Sequence, residues 1–254
     1  QDRVEIINHL DRLPVREKDS VHFGFAFDVP DAVVRMETPW GVVRPNADQL
    51  PGANRNWFTV QRWVDISNES RGMTWAPLDA PLLQCGEITA NLLGAVAFER
   101  WMTNAIESPV LYSWAQNNHW HTNYKIDQPG ITTFRYILRP HKGGFSAADS
   151  ARFGHETTRP LLVAPASSSK PAKPFVRISS DDVLLETLKV SDDGKAIVLR
   201  LFGSGTAPRN VELKWGSLRP SAIWLSDLTE QPREKVTGKI RVPARGIVTL
   251  RAER

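Results

Sequence analysis

Apolar side chains fall along most of this chain in short alternating runs separated by turn residues, the period-two signature of strands with one buried face. Residues 4–7, 21–27, 32–36, 61–66, 110–114 and 132–138 read this way. In 21–27, Val21, Phe23, Phe25 and Phe27 alternate with His22, Gly24 and Ala26, so one face of that strand is predicted to be core. The spacing predicts one helix, over 146–153, with Ser146 as its N-cap and Ala147, Ala148 and Asp149 in its first turn. Eighteen prolines and 16 glycines dispersed along the chain fit many turns and few long helices.

The texture breaks once. Residues 164–174, APASSSKPAKP, offer no large apolar side chain to offset the entropy of ordering, which predicts a linker at 166–174 between domains at 1–165 and 175–254. Beyond it, strand-like runs at 175–178, 183–190, 196–202, 211–214, 222–225, 239–242 and 247–250 follow one another, with Asp192-Asp193-Gly194 as a hairpin signal. So many short strands in so few residues predict a small β-sandwich. The expected fold class is all-β. Seven of the nine tryptophans precede the linker, which directs any aromatic recognition chemistry to the first domain.

Composition narrows the functional classes. With 254 residues, 41% of them hydrophobic and 24% charged, the chain can bury a sizeable core. The 32 basic and 28 acidic residues leave a formal charge of only +4, with no Lys/Arg block to track a phosphate backbone, so nucleic acid is not an expected partner. Cys85 is the sole cysteine, which excludes an intramolecular disulfide and a cysteine-rich zinc framework and predicts a buried neutral thiol. No apolar run approaches the roughly 18 residues of a membrane span. The chain opens at Gln1 with no basic-then-apolar leader, so the expectation is a soluble protein, processed or excised from something longer. The sequon Asn68-Glu69-Ser70 accepts a glycan only in a secretory pathway and localises nothing.

The densest candidate chemistry is NNHWHTNYKID at 117–127. On an extended strand His119 and His121 share a face with Asn123, while Asn118, Trp120 and Tyr124 share the other. Four accounts of the stretch stand side by side. It can be a structural polar strand. It can be a sugar-contacting wall formed by His119, His121, Asn123 and Tyr124 with Asn118 or Trp120 in support, since amides and imidazoles exchange hydrogen bonds with hydroxyls and aromatic faces cover a sugar ring. It can be a metal site if Asp127, His141 or Asp65 supplies a third ligand. It can do acid–base work if a histidine converges with Glu87, Glu107 or Asp127. In 133–139, Arg135 and Arg139 lie opposite Phe134, Tyr136 and Leu138, which predicts a solvated face over a core face.

Several phrases, in order, carry a resemblance. Arg62-Trp63-Val64-Asp65-Ile66-Ser67-Asn68 with Gly72-Met73-Thr74-Trp75, then Asn117-Asn118 through Trp120 to Thr122-Asn123-Tyr124, then Thr133-Phe134-Arg135-Tyr136 with Arg139-Pro140-His141, and then Arg159-Pro160-Leu161-Leu162-Val163 resemble the carboxy-terminal region of glycoside hydrolase family 38, the α-mannosidase family. Residues 183–189, 197–202 and 246–250 resemble that family's last β-domain. The resemblance implies a galactose-mutarotase-like supersandwich at 1–165 and a small β-sandwich at 175–254. It implies a parent whose amino-terminal α/β domain, holding a zinc ion and a carboxylate nucleophile, hydrolyses α-mannosides with retention. His9-Leu10-Asp11 has the family's His-x-Asp zinc spelling, but its surroundings resemble a strand end of the carboxy-terminal region.

The expectation is therefore an accessory and scaffold region, in contact with the parent's catalytic domain and with α-mannoside-type carbohydrate, with no catalytic or metal-ligating residues of its own and with zinc in the catalytic domain. The alternative is an autonomous carbohydrate-binding or mutarotase-like epimerising domain.

Overall fold

The computed structural model describes residues 2–89, 101–119, 123, 125–165 and 173–253. Its contacts fall into two compact units, Gln1–Phe145 with Phe153–Pro160, and Ser146–Arg152 with Leu161–Arg254. Both are built almost entirely of strands, so the all-β class holds. The expected linker falls largely on residues 166–172, outside the described residues.

The first unit contains β1 (Val4–Arg12), β2 (Ser20–Ala26), β3 (Val33–Thr38), β4 (Gly41–Val43), β5 (Phe58–Thr59), β6 (Val64–Ser67), β7 (Arg71–Pro77), β8 (Leu82–Cys85), β9 (Val110–Asn117) and β10 (Gly130–Lys142). They form a six-stranded antiparallel sheet, β1-β10-β7-β6-β3-β4, and a four-stranded one, β2-β9-β8-β5. Alternation decides what lies between them. Phe134, Tyr136 and Leu138 of β10, Trp75 of β7, Val34 and Met36 of β3, and Phe25, Leu83 and Leu111 from the smaller sheet bury one continuous core. Its aromatic centre is tight: Tyr136 stacks on Trp75 at 5.6 Å and meets Phe25 at 4.8 Å. The Tyr136 hydroxyl donates to Ser113 Oγ at 2.9 Å, and burial pushes its pKa up to about 12.

The predicted helix is present as α1 (Ala147–Thr158), with Ser146 Oγ accepting from the Asp149 amide at 3.3 Å as an N-cap should. Phe153 of its second half packs with Trp63, Ala76 and Ile137 against the outer face of the six-stranded sheet.

In the second unit lie β11 (Val176–Ile178), β12 (Val183–Val190), β13 (Ala196–Gly203), β14 (Arg209–Val211), β15 (Leu213–Trp215), β16 (Ala222–Ser226), β17 (Glu234–Lys235), β18 (Ile240–Val242) and β19 (Ile247–Glu253). A five-stranded sheet, β12-β13-β19-β16-β17, is joined by the pairs β11-β15 and β14-β18, and Leu199, Leu201, Val211, Ile240, Val242 and Leu250 share its core. The single strand predicted at 211–214 is two, β14 and β15, divided at Glu212. Gly194, at φ 72°, closes the β12–β13 hairpin where Asp192-Asp193-Gly194 predicted a turn.

The polar stretch departs from its expectation. β9 ends at Asn117, and Asn118, His119 and Asn123 lie outside any strand, so the alternation that grouped positions 119 and 123 on one side does not operate there. The chain leaves the ladder because Asn118 turns its amide to other backbone. Its Nδ2 donates to the carbonyls of Val15 (3.1 Å) and Glu17 (2.6 Å), and its Oδ1 accepts from the Asp19 amide at 2.5 Å.

Candidate functional site

The outer face of the four-stranded sheet gathers the polar and aromatic side chains that its core face excludes. His22 on β2 sits opposite Trp114 on β9, and their rings stack at 5.9 Å and 11°. Trp57, just before β5, meets Trp114 edge-on at 5.8 Å, and His119 tilts over it at 5.8 Å and 55°. The Trp114 Nε1 is buried without a hydrogen-bond partner among the described residues. Gly24 leaves room for Tyr112 beside this cluster, since a Cβ there would lie 3.3 Å from its ring.

Gln84, in the middle of β8 and fully buried, fixes the hydrogen-bond directions. Its Nε2 donates to the Asn56 carbonyl at 3.1 Å and to Thr89 Oγ1 at 3.3 Å, so its Oε1 is the atom facing His22 Nε2 at 2.7 Å. A carbonyl oxygen accepts, hence His22 carries its proton on Nε2. Burial lowers the His22 pKa, the Gln84 bond works the other way, and the charge of a protonated His119 lowers it further. Asn56 completes the frame by donating to the Thr89 carbonyl at 3.1 Å and accepting from the Met102 amide at 2.8 Å. The result is a wall of two indoles, two imidazoles and amides, able to cover an apolar ring face while exchanging hydrogen bonds with hydroxyls.

Of the residues singled out in 117–127, His119 joins this wall through Trp114, Asn118 is buried as the staple described above, and Asn123 is exposed. Trp120, His121 and Tyr124 lie outside the described residues. Sequence reasoning passed over Trp57, Trp114, His22 and Gln84. A signal existed for the last two, His22 on the polar side of an alternating run and Gln84 as a lone amide in the apolar run Leu82-Leu83-Gln84-Cys85.

Of the residues weighed as metal ligands, His121 lies outside the described residues, and those that are described do not gather in one cluster. Asp65 and His141 meet each other at 3.0 Å on the outer face of the six-stranded sheet, whereas His119 leaves the end of β9 in the four-stranded one. His9 and Asp11 are exposed, with His9 Nδ1 bonded to Thr133 Oγ1 at 3.0 Å. Among the described residues no three His, Cys, Asp or Glu side chains are placed to hold a metal ion. Of the groups weighed for acid–base work, Glu107 accepts from Asn46 at 3.4 Å and Asp127 lies 3.9 Å from Lys125, while His121 lies outside the described residues.

The outer face of the six-stranded sheet is ionic. Asp65, fully buried, accepts from Ser67 Oγ (2.5 Å) and Thr74 Oγ1 (3.2 Å) beside His141. Glu37 takes a two-pronged grip from Arg62, whose Nη1 lies 2.6 Å from His155 Nε2. The expected solvated arginine face is divided: Arg135 is exposed and chelated by Asp79 at 2.8–2.9 Å, but Arg139 lies 4.7 Å over the Phe153 ring. Helix cover on one half of the strand is what separates them.

Residues 182–251 match the model of the glycosyl hydrolases family 38 C-terminal beta sandwich domain. Human alpha-mannosidase 2C1 is 35% identical over 108 residues, which are 41% of this chain and 10% of that protein. Residues 182–251 thus carry the family 38 C-terminal beta sandwich domain. Its fold is shared with an alpha-mannosidase from Enterococcus faecalis (TM-score 0.71, 14% identity) and with a second Enterococcus faecalis family 38 structure (TM-score 0.70, 13% identity), each covering all of this chain. The chain spans 28% of either neighbour's chain, and its match covers a tenth of the human relative.

Proposed function

We propose that this chain serves an α-mannosidase-like glycoside hydrolase as an accessory β-region, packing with the catalytic domain of its parent and contacting α-mannoside-type carbohydrate through the outer face of the four-stranded sheet. The observation that carries the accessory role is the match of 182–251 to a C-terminal β-sandwich family. The sugar contact is supported by the aromatic wall of His22, Trp57, Trp114 and His119, a combination suited to stacking and hydroxyl exchange. On this reading hydrolysis, and the zinc expected to serve it, belong to the parent's catalytic domain.

The test has two arms. Purified 1–254 is expected not to cleave an aryl α-mannoside with or without added zinc, and zinc-dependent turnover would sink the accessory reading. In titration with an α-mannoside, Trp57→Ala is expected to weaken binding about fivefold, the scale of one net contact of roughly 1 kcal/mol. Unchanged affinity would remove the wall from the reading.

A further inference from the structure

A different face of the first unit carries an unassigned pocket. It is open, about 410 Å³, and lined by Pro30, Asp31, Val33, Arg35, Glu69 and Phe145 among others. Arg35 lies on β3, half-buried, with its guanidinium 4.8 Å over the Phe145 ring. Phe145 is backed by Trp63 at 5.9 Å. The hydrogen bonds of Arg35 are long ones, 3.4 Å to the Val33 carbonyl and 3.4 Å to Ser67 Oγ. Among the described residues no carboxylate pairs with it.

Its position is nonetheless fixed. Ser67 gives its own proton to buried Asp65, which leaves the Ser67 lone pairs for Arg35, and Asp65 is held in turn by Thr74 and His141. Gly72 makes this possible, because a Cβ there would fall 2.6 Å from the His141 ring. An arginine held by ring stacking and a hydroxyl keeps most of its five N–H donors for another molecule, already oriented. The same lining holds two acceptors, the exposed carboxylates of Asp31 and Glu69, with no ion pair among the described residues.

This donor set selects its ligand. An inorganic anion meets two carboxylates at the rim, and a metal cation meets the guanidinium. A purely aliphatic molecule finds only Pro30 and Val33. A ligand whose neighbouring groups both accept and donate satisfies all three charges at once, and vicinal hydroxyls on a ring do so without net charge. We propose that the Arg35 pocket is a carbohydrate subsite that takes one pyranose ring, with Arg35 donating to a hydroxyl and Asp31 and Glu69 accepting from its neighbours. It lies on the six-stranded sheet and does not depend on the aromatic wall of the other sheet.

Binding of methyl α-D-mannopyranoside to 1–254, followed through backbone amide shifts, tests it. The sugar is expected to move the amides of Val33–Arg35 and Ser67–Arg71. Arg35→Met, which keeps the alkyl contact with Phe145, is expected to weaken that response at least tenfold. The double variant Asp31→Asn, Glu69→Gln is expected to do the same, and Trp57→Ala to leave it unchanged. Should Arg35→Met fail to fold, Arg35→Lys keeps charge and packing but loses the fork, and at least a threefold loss is expected. No shift at these amides in the native chain, a native-like response in the Arg35 variants, or a response to glycine as a zwitterionic probe in place of the sugar overturns the proposal. Loss of amide shifts in Trp57→Ala at the four-stranded face alone would bear on the aromatic wall and not on this pocket.

Discussion

The two sheets of the first unit share one core but hide polar groups on their outer faces in opposite ways. On the four-stranded sheet the buried groups are neutral: Gln84, Asn56 and an imidazole whose pKa is pushed down. On the six-stranded sheet they are charged, with Glu37 against Arg62 and Asp65 among Ser67, Thr74 and His141. A neutral hydrogen bond contributes about 1 kcal/mol net, so the first face can lose one member and survive. A buried charge stripped of its partner costs several times more. Loss of one member is therefore expected to cost the ionic face more than the neutral one.

The largest expected effect breaks the ionic face. Glu37→Ala leaves Arg62, whose side chain is only 9% exposed, without its carboxylate, and should lower unfolding free energy by about 3 kcal/mol in urea titration. A cost under about 1 kcal/mol would mean that water reaches the pair and that the contrast is false. Next comes Gly72→Ala, whose methyl would press on the His141 ring and on Ser67 and should cost about 2 kcal/mol by overpacking, with the Arg35 pocket loosened as well.

The third outcome sharpens the neutral face through pH. Because the folded pKa of His22 lies below its ordinary 6.5, the unfolded chain binds the proton more readily. Its contribution to stability is complete above pH 6.5 and is lost as pH falls below that value. Melting temperature should fall on going from pH 7.5 to 5, and His22→Gln should flatten part of the slope. An identical slope in native protein and variant would assign the pH dependence elsewhere. The smallest effect belongs to the exposed end of the six-stranded sheet. Arg135 draws the Asp79 pKa down by a bidentate hydrogen bond, yet the pair is solvated, so Asp79→Asn should change stability by less than about 1 kcal/mol.

Alternation made the long strands legible. Val21 to Phe27 and Thr132 to Leu138 each show one apolar face, and both faces proved to be core. Strands β4, β5, β8 and β17 escaped because two to four residues carry no period, and the seven-residue β7 escaped too, with only Met73 and Trp75 as large apolar side chains. The carboxy-terminal sandwich was readable from turn spacing, except where Glu212 divides one apolar run into two strands in different sheets. The site was less legible. The run 117–127 drew attention by density, yet local composition cannot show that Asn118 spends its amide on Val15 and Glu17, about 100 positions away in sequence. Nor can it show that Trp57 and Trp114 meet, since that contact depends on the pairing order β9-β8-β5. Arg35 drew no attention at all, because an arginine facing away from Val34 and Met36 reads as ordinary solvated surface until Phe145 is brought against it.

The lone thiol gives the core a clock. Cys85 closes β8 on its buried side, and the same burial lifts its pKa to about 12, so at pH 8 only about one molecule in ten thousand presents a thiolate. A thiol reagent therefore modifies the native chain chiefly when β8 parts from its neighbours, and the labelling rate reads how often that happens. Followed with and without a bound mannoside, the same sulfur would report from inside the protein whether occupancy of either face holds the four-stranded sheet closed.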